Sequence, residues 1–370
     1  MSISVEAFRT RATEFIDASI ASGVACPAFG TIMPPGVFDQ ARAWQRAIFT
    51  NGFAGVDWAT DCGGQGLSLA HRQAWSGAWG PRSVAPYMNF QGFILAAGAI
   101  RRYGTEAQRQ QYLRDTLAAD IVWCQLFSEP GSGSDLVSLS TKAVSTGDGW
   151  VVTGEKVWSS TAQLADYGIL LARTDADQPG HRGISFFLFD MHGPGVEVRP
   201  ITQMTGDQEF CQVFLDEAPV RADCLLGPLN GGWAVATSVL ADERSEVGAR
   251  GIALRRDLAG LRNGAPDELV VRDQLMNLTV EGTALAELLD RSVGDPRLGP
   301  LIKLALTELE TDITRFRVDT NGANGMLMGE ATEPFLYAPG MRVAGGTSEI
   351  QRNLIGERLL GLPREPSPAR

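Results

Sequence analysis

The hydrophobic period of this chain changes twice along its length, and that change excludes any fold built from one kind of element. Up to about residue 120, apolar residues recur every three or four positions, as in Phe8, Ala12, Phe15, Ile16 and Ile20. That spacing places them on one face of a helix. Next come short runs rich in β-branched and aromatic residues, such as Gly149-Trp150-Val151-Val152-Thr153 and Gly183-Ile184-Ser185-Phe186-Phe187-Leu188-Phe189. Turn sequences such as Thr146-Gly147-Asp148-Gly149 separate them, the pattern of a small β-module. After Gly231-Gly232-Trp233 the helical period returns. Val271, Leu275, Leu278, Gly282, Leu285 and Leu289 form one stripe, and Ile302, Leu306, Leu309, Ile313 and Phe316 another. Such stripes bury against other helices, so they read as bundle core. The expected architecture is α+β and multi-domain. An N-terminal helical domain (1–120) precedes a small β-barrel or sandwich (121–225) and a C-terminal helical bundle (226–370).

Length and charge narrow the function classes. At 370 residues the chain exceeds one hydrophobic core. It carries 43 acidic and 32 basic residues, a net charge of −11, which disfavours nucleic acid as a partner. The five cysteines, Cys26, Cys62, Cys124, Cys211 and Cys224, are odd in number and widely spaced. They suit reduced thiols in a cytoplasm better than disulfides or zinc. His71, His181 and His192 have no metal-ligand spacing, so no metal is expected. The sequence has neither a basic, apolar leader nor an apolar stretch long enough to span a membrane.

Three strings carry possible chemistry. Ser128-Glu129-Pro130-Gly131-Ser132-Gly133-Ser134-Asp135 follows the apolar run Ile121 to Phe127. Its glycines permit close backbone approach to a ligand, and its amides and hydroxyls suit phosphate or ring oxygens. Gly154-Glu155-Lys156-Val157-Trp158-Ser159-Ser160 sets an indole beside small hydroxyl residues, a surface suited to a planar ring. Thr347-Ser348-Glu349-Ile350-Gln351-Arg352, after Ala344-Gly345-Gly346, has the form of a helix start. Taken singly, each is explained by a turn, a core tryptophan or a cap.

In this order and in this helix–β–helix setting, the three strings resemble the acyl-CoA dehydrogenase family. The resemblance extends to Gly63-Gly64-Gln65-Gly66, Tyr103-Gly104-Thr105-Glu106 and Leu359-Leu360-Gly361-Leu362-Pro363-Arg364. It implies a fold of N-terminal helical domain, middle β-barrel and C-terminal four-helix bundle, with FAD as cofactor and an acyl-CoA as substrate. It implies that Gln125, Leu126, Phe127, Ser128, Gly133 and Ser134 line the flavin ring and pyrophosphate. Trp158 then packs beside the ring with Ser159, and Ser160 stands where the family commonly has a threonine. Thr347, Ser348 and Glu349 hold the adenine-dinucleotide part. Ser134 and Gly346 lie near the thioester, and Arg244 near the CoA arm.

Two departures from the family pattern carry information. Many members place a catalytic glutamate in a Tyr-Glu-Gly-Thr string, where this chain has Ala344-Gly345-Gly346-Thr347. A second family position, a glutamate before an arginine in the first C-terminal helix, is matched by Glu243-Arg244. The resemblance therefore implies Glu243 as the base, with Glu246 as second choice. The Arg-x-x-Phe-Gly string that a neighbouring subunit contributes is missing around Arg255-Arg256-Asp257-Leu258-Ala259-Gly260. The Gln-x-x-Gly-Gly string that the neighbour also contributes in the family is faint in Asn321-Gly322-Ala323-Asn324-Gly325. A tetramer is expected, in α2β2 form with a related subunit, with electron transfer flavoprotein as electron acceptor and a sterol side chain among the possible acyl groups. The alternatives are a flavin monooxygenase or nitroalkane-oxidase-like enzyme on the same fold, or a non-catalytic subunit. Acyl length, and CoA against a carrier-protein thioester, stay open.

Overall fold

The computed structural model describes residues 3–29, 32–245, 250–264, 266–291 and 295–364. The chain divides into two compact units, Met1–Leu240 and Ala241–Arg370. The first opens with helices α1 (Val5–Ala21), α2 (Phe38–Thr50) and α3 (Leu69–Trp79). Ser4 caps α1 by accepting from the Ala7 amide at 3.2 Å. Phe8, Ala12 and Ile16 are fully buried, whereas Ile20 is 45% exposed, contrary to the expected stripe. At about 100° per residue, Ile20 lies about 120° round the helix from Phe8, and Ser19 only about 20° from it. Ser19 therefore takes the inward position, its hydroxyl satisfied by the Phe15 carbonyl at 2.7 Å.

A π-helical turn (Gln91–Ala96) leads into α4 (Ala97–Tyr103), and α5 (Glu106–Leu117) follows. The break between α4 and α5 falls where the sequence placed it. Thr105 and Gln108 form a reciprocal capping box at 3.2 and 2.9 Å. The Gln108 amide also donates to the Asp223 and Leu225 carbonyls, at 2.8 and 3.0 Å, and ties α5 to the end of the sheet.

Seven strands form the sheet: β1 (Trp123–Leu126), β2 (Lys142–Ser145), β3 (Gly149–Ser160), β4 (Tyr167–Arg173), β5 (Ile184–Asp190), β6 (Val196–Ile201) and β7 (Phe210–Arg221). Their order is β1-β4-β2-β3-β7-β6, with β5 on the outer side of β4. Among the described residues the expected β-barrel is an open sheet, with β6 laddered to β7 alone. Strands β4 and β5 are apolar at nearly every position because both faces are covered. Ile169, Leu171, Phe186 and Leu188 join the core shared with the helices. Leu170, Ala172, Phe187 and Phe189 join a second cluster on the opposite face, with Val213 and Leu215. A strand buried on both sides loses its alternation.

The second unit is helical. It holds α7 (Arg250–Gly264), α8 (Leu269–Arg291), α9 (Gly299–Thr320), α10 (Thr332–Val343) and α11 (Ser348–Leu354), while α6 (Gly232–Ser245) crosses the border between units. The two apolar stripes meet here: Leu278, Leu285 and Leu289 pack with Leu258 and Leu261, and with Ile302, Leu306 and Phe316. Gly282 belongs to the stripe because a Cβ there would lie 2.5 Å from the Leu258 side chain, so α7 and α8 approach closely. No described helix is long and apolar enough to cross a membrane.

Strand β1 is fixed from outside the sheet. The Asn89 side chain donates to the Trp123 carbonyl at 2.9 Å and accepts from the Trp123 amide at 2.8 Å, so it acts as one residue of an extra strand. Gly92 leaves room for it, since a Cβ there would meet Asn89 Oδ1 at 2.4 Å. Replacing Asn89 by alanine strands two backbone groups at a buried residue. The expected loss is about 2–4 kcal/mol of unfolding free energy, read by urea denaturation.

Candidate active site

The first string leaves β1 and turns back on itself. Glu129 and Ser132 exchange backbone hydrogen bonds at 2.9 and 3.0 Å, and Ser132 Oγ donates to the Asp135 carbonyl at 2.7 Å. Gln125 and Ser128 are half-buried, Leu126 and Phe127 are buried in core clusters, and Gly133 and Ser134 are exposed. A Cβ built on Gly131 or Gly133 would meet no atom within 4 Å, which leaves the face of this loop open to close approach.

The second string lies on β3, and the structure brings the two together. Lys156, 0% exposed, donates to Glu129 Oε1 at 2.8 Å and to the Phe127 carbonyl at 3.1 Å. Glu129 also accepts from Ser140 N and Oγ, each at 2.7 Å, and from Thr141 N at 2.9 Å. One residue further along β3, the Val157 amide donates to the Ser128 carbonyl at 2.9 Å. Burial opposes the Glu129 carboxylate, but the Lys156 charge and these hydrogen bonds outweigh it and hold the carboxyl down at about 2. Burial also draws the Lys156 ammonium down to about 8, against the pull of Glu129. Both residues stand inside the two strings, where local sequence gives neither a role. A Glu and a Lys in separate strings, each beside apolar residues, was the available signal.

Beyond Lys156 the strand bulges. Lys156 pairs with Val213 and Ser159 with Cys211, so two residues of β3 oppose the single Gln212 of β7. Trp158, in the bulge, has φ +59°. A bulky side chain in that region costs on the order of 1–3 kcal/mol and marks a functional constraint. The result is a tryptophan that is 58% exposed, with Phe210 edge-on to it at 6.0 Å. Beside it, Ser159 is fully buried and its Oγ has no hydrogen-bond partner among the described residues, while Ser160 is 6% exposed. An uncovered indole, an unsatisfied hydroxyl and an open glycine loop fit a planar, polar-edged ring such as a flavin.

The third string lies in the second unit. Thr347 caps α11, its hydroxyl accepting from Ile350 N at 3.3 Å. Ser348 is buried and Glu349 exposed, and hydrogen bonds from its own backbone amide and the Thr347 hydroxyl lower the Glu349 carboxyl. Gly345 and Gly346 have φ +66° and +100°, a path that favours glycine over the glutamate common in the resembling family. Two donors hold this pair of glycines. Lys303, unremarked in the sequence, donates to the Arg342 and Gly346 carbonyls at 3.0 and 2.7 Å. The Gln351 amide reaches the Gly345 and Gly346 carbonyls at 3.0 and 3.2 Å. Glu243 and Arg244 lie on α6, but their side chains fall outside the described residues, and Glu246 falls outside entirely.

No described cluster of His, Cys, Asp and Glu has the makings of a metal site. A cavity of about 430 Å³ in the first unit is lined by Asp61, Cys62, Arg101, Arg102 and Arg109, and includes none of the three strings.

The folded-state Glu129 carboxyl lies below its ordinary 4.5, so its stabilisation is fully present above that pH and lost as pH falls toward 2. Between pH 5 and pH 2, Glu129→Gln is expected to lose on the order of 2 kcal/mol less stability than the parent chain. Denaturant unfolding across that range checks it.

Comparison with known proteins matches these segments to one family. The N-terminal, middle and C-terminal domain models of acyl-CoA dehydrogenases match residues 4–120, 124–218 and 267–360. The acyl-CoA dehydrogenase IpdE1 of Mycobacterium tuberculosis is 36% identical over 345 residues, covering 89% of each chain. A solved structure titled Tcur3481-Tcur3483 steroid ACAD superposes with a TM-score of 0.81 at 26% identity, covering 98% of this chain and 97% of that one. A chain of the ChsE4-ChsE5 complex from Mycobacterium tuberculosis superposes at 0.78 with 25% identity, covering 99% of this chain and 100% of that one. This protein therefore belongs to the acyl-CoA dehydrogenase family of oxidoreductases.

Proposed function

We propose that this chain binds FAD and dehydrogenates an acyl-CoA thioester between its α and β carbons. The observation that carries the reading is the junction of the first two strings, where Trp158 stands exposed beside the unsatisfied Ser159 hydroxyl. Bound FAD supplies the hydride acceptor, at its N5, for the β-hydrogen. Gln125, Leu126, Phe127, Ser128, Gly133 and Ser134 provide the wall and donors for the ring and pyrophosphate. Trp158 packs against the ring, with Ser159 and Ser160 as its hydroxyl partners. Thr347, Ser348 and Glu349 receive the adenine-dinucleotide half, Ser134 and Gly346 border the thioester, and Arg244 meets the CoA arm. Glu243 removes the α-proton, a task for which a carboxylate needs a pKa raised by an apolar site.

The same reading extends to domain borders near residues 120 and 225 and to a four-helix bundle in the C-terminal region. It includes a cytoplasmic reaction, reoxidation by electron transfer flavoprotein, and an α2β2 tetramer in which a related subunit completes the distal cofactor contacts. Neighbours titled as two-protein complexes, one of them a steroid ACAD, support the assembly and a bulky acyl group. Gly345, with no side chain, leaves space for that bulk.

The test is anaerobic addition of acyl-CoA thioesters to the purified chain, alone and with a co-encoded homologue, with the 450 nm flavin band recorded. Bleaching by a bulky thioester is expected, with a loss of at least about 100-fold in its rate in Glu243→Gln. A bound flavin that never bleaches favours the monooxygenase or oxidase-like reading, and a colourless protein in both preparations favours a non-catalytic subunit.

A further inference from the structure

We propose that Lys156 and Glu129 are positioning residues for the flavin: their ion pair sets the bulge that presents Trp158 and locks it against the glycine loop. The inference rests on the functional reading above and goes beyond it, because neither residue is placed there in contact with cofactor or substrate.

The geometry runs through three consecutive ties. The Lys156 ammonium bonds the Phe127 carbonyl, the Val157 amide bonds the Ser128 carbonyl, and the ammonium meets the Glu129 carboxylate. Residues 127, 128 and 129 are thus fastened in order to the two residues that begin the bulge. Register with β7 is lost immediately after Lys156 and regained at Ser159. Over that interval β3 trades ladder bonds to β7 for bonds to the first string. Loss of the ammonium removes the two ties, to Phe127 and Glu129, that anchor the strand just before the left-handed Trp158.

Glu129 carries the tie onward. Its second oxygen takes the Ser140 amide and hydroxyl, and its first takes the Thr141 amide as well as Lys156. The carboxylate joins Ser140 and Thr141, beyond the first string, to the string's beginning. The loop 130–138 between these anchors has fixed ends while its Gly131 and Gly133 faces stay open. An ion pair elsewhere in the sheet would not set the spacing between indole and loop. Complete burial of the lysine keeps water from substituting for either partner.

The experiment compares FAD binding by the parent chain, Lys156→Met, Glu129→Gln and Val220→Ala, each with the co-encoded homologue if the parent requires it. Val220 is a buried residue of the second sheet cluster, lies outside both strings and pairs across the ladder with Trp150, so it serves as the stability control. Binding is read by flavin fluorescence at a temperature where far-ultraviolet circular dichroism shows every apo variant folded. The expected result is a Kd for FAD raised at least about tenfold in Lys156→Met and Glu129→Gln, with a changed 450 nm band shape. Val220→Ala is expected to lower the melting temperature while leaving Kd and spectrum as in the parent. Parent-like Kd and spectrum in both pair variants overturn the proposal, as does an equal loss of FAD in Val220→Ala. If Lys156→Met does not fold, Glu129→Gln, which keeps the side-chain shape and one acceptor oxygen, decides alone. A parent chain that binds no FAD in either preparation overturns the functional reading together with this proposal.

Discussion

The buried contact between Lys156 and Glu129 is the constraint on which the candidate site depends. Two charges in a sheet interior are tolerated only when geometry and added hydrogen bonds replace their lost water. Here the carboxylate has three other donors and the ammonium a carbonyl as well. That satisfaction converts a costly pair into a specific one: no shift of β3 along the first string preserves all the bonds. A strained tryptophan and an open glycine loop become affordable once their bases are fixed in this way.

The helical part of the first unit serves the same end from the other side. Asn89 bonds both backbone groups of Trp123, and Trp123 Nε1 bonds Thr116 Oγ1 at 2.9 Å, so β1 enters the first string from a fixed start. The α5 cap residue Gln108 reaches past its own helix to hold the chain after β7. In the second unit a comparable arrangement surrounds the two glycines before α11, held by Lys303 and Gln351. Gly345 and Gly346 thus keep a defined left-handed backbone without side chains of their own.

Much of this was legible in sequence because period and capping are local. The α8 and α9 stripes, the Thr105 cap and the Thr146–Gly149 turn depend on residues a few positions apart. What failed depends on distant partners or fine phase. Ile20 was assigned inward because a repeat of four was continued one turn too far, where Ser19 holds the phase. Closure of the sheet depends on which strands sit at its ends, and strand composition does not encode that. The three strings were recognised, but pattern alone gave Lys156 and Glu129 no meaning, since their partnership spans 27 positions and appears only when β1 and β3 are placed. The family resemblance, not the residue chemistry alone, pointed to Glu243.

If the loop after β1 and the bulge of β3 together hold the flavin, both segments are shielded when it binds. Amide hydrogen–deuterium exchange with and without FAD tests it most directly, because it reads both segments in one experiment without depending on turnover. Residues 127–134 and 157–161 are expected to exchange at least about tenfold more slowly when FAD is bound. FAD bound at full occupancy with unchanged exchange in both segments would contradict it.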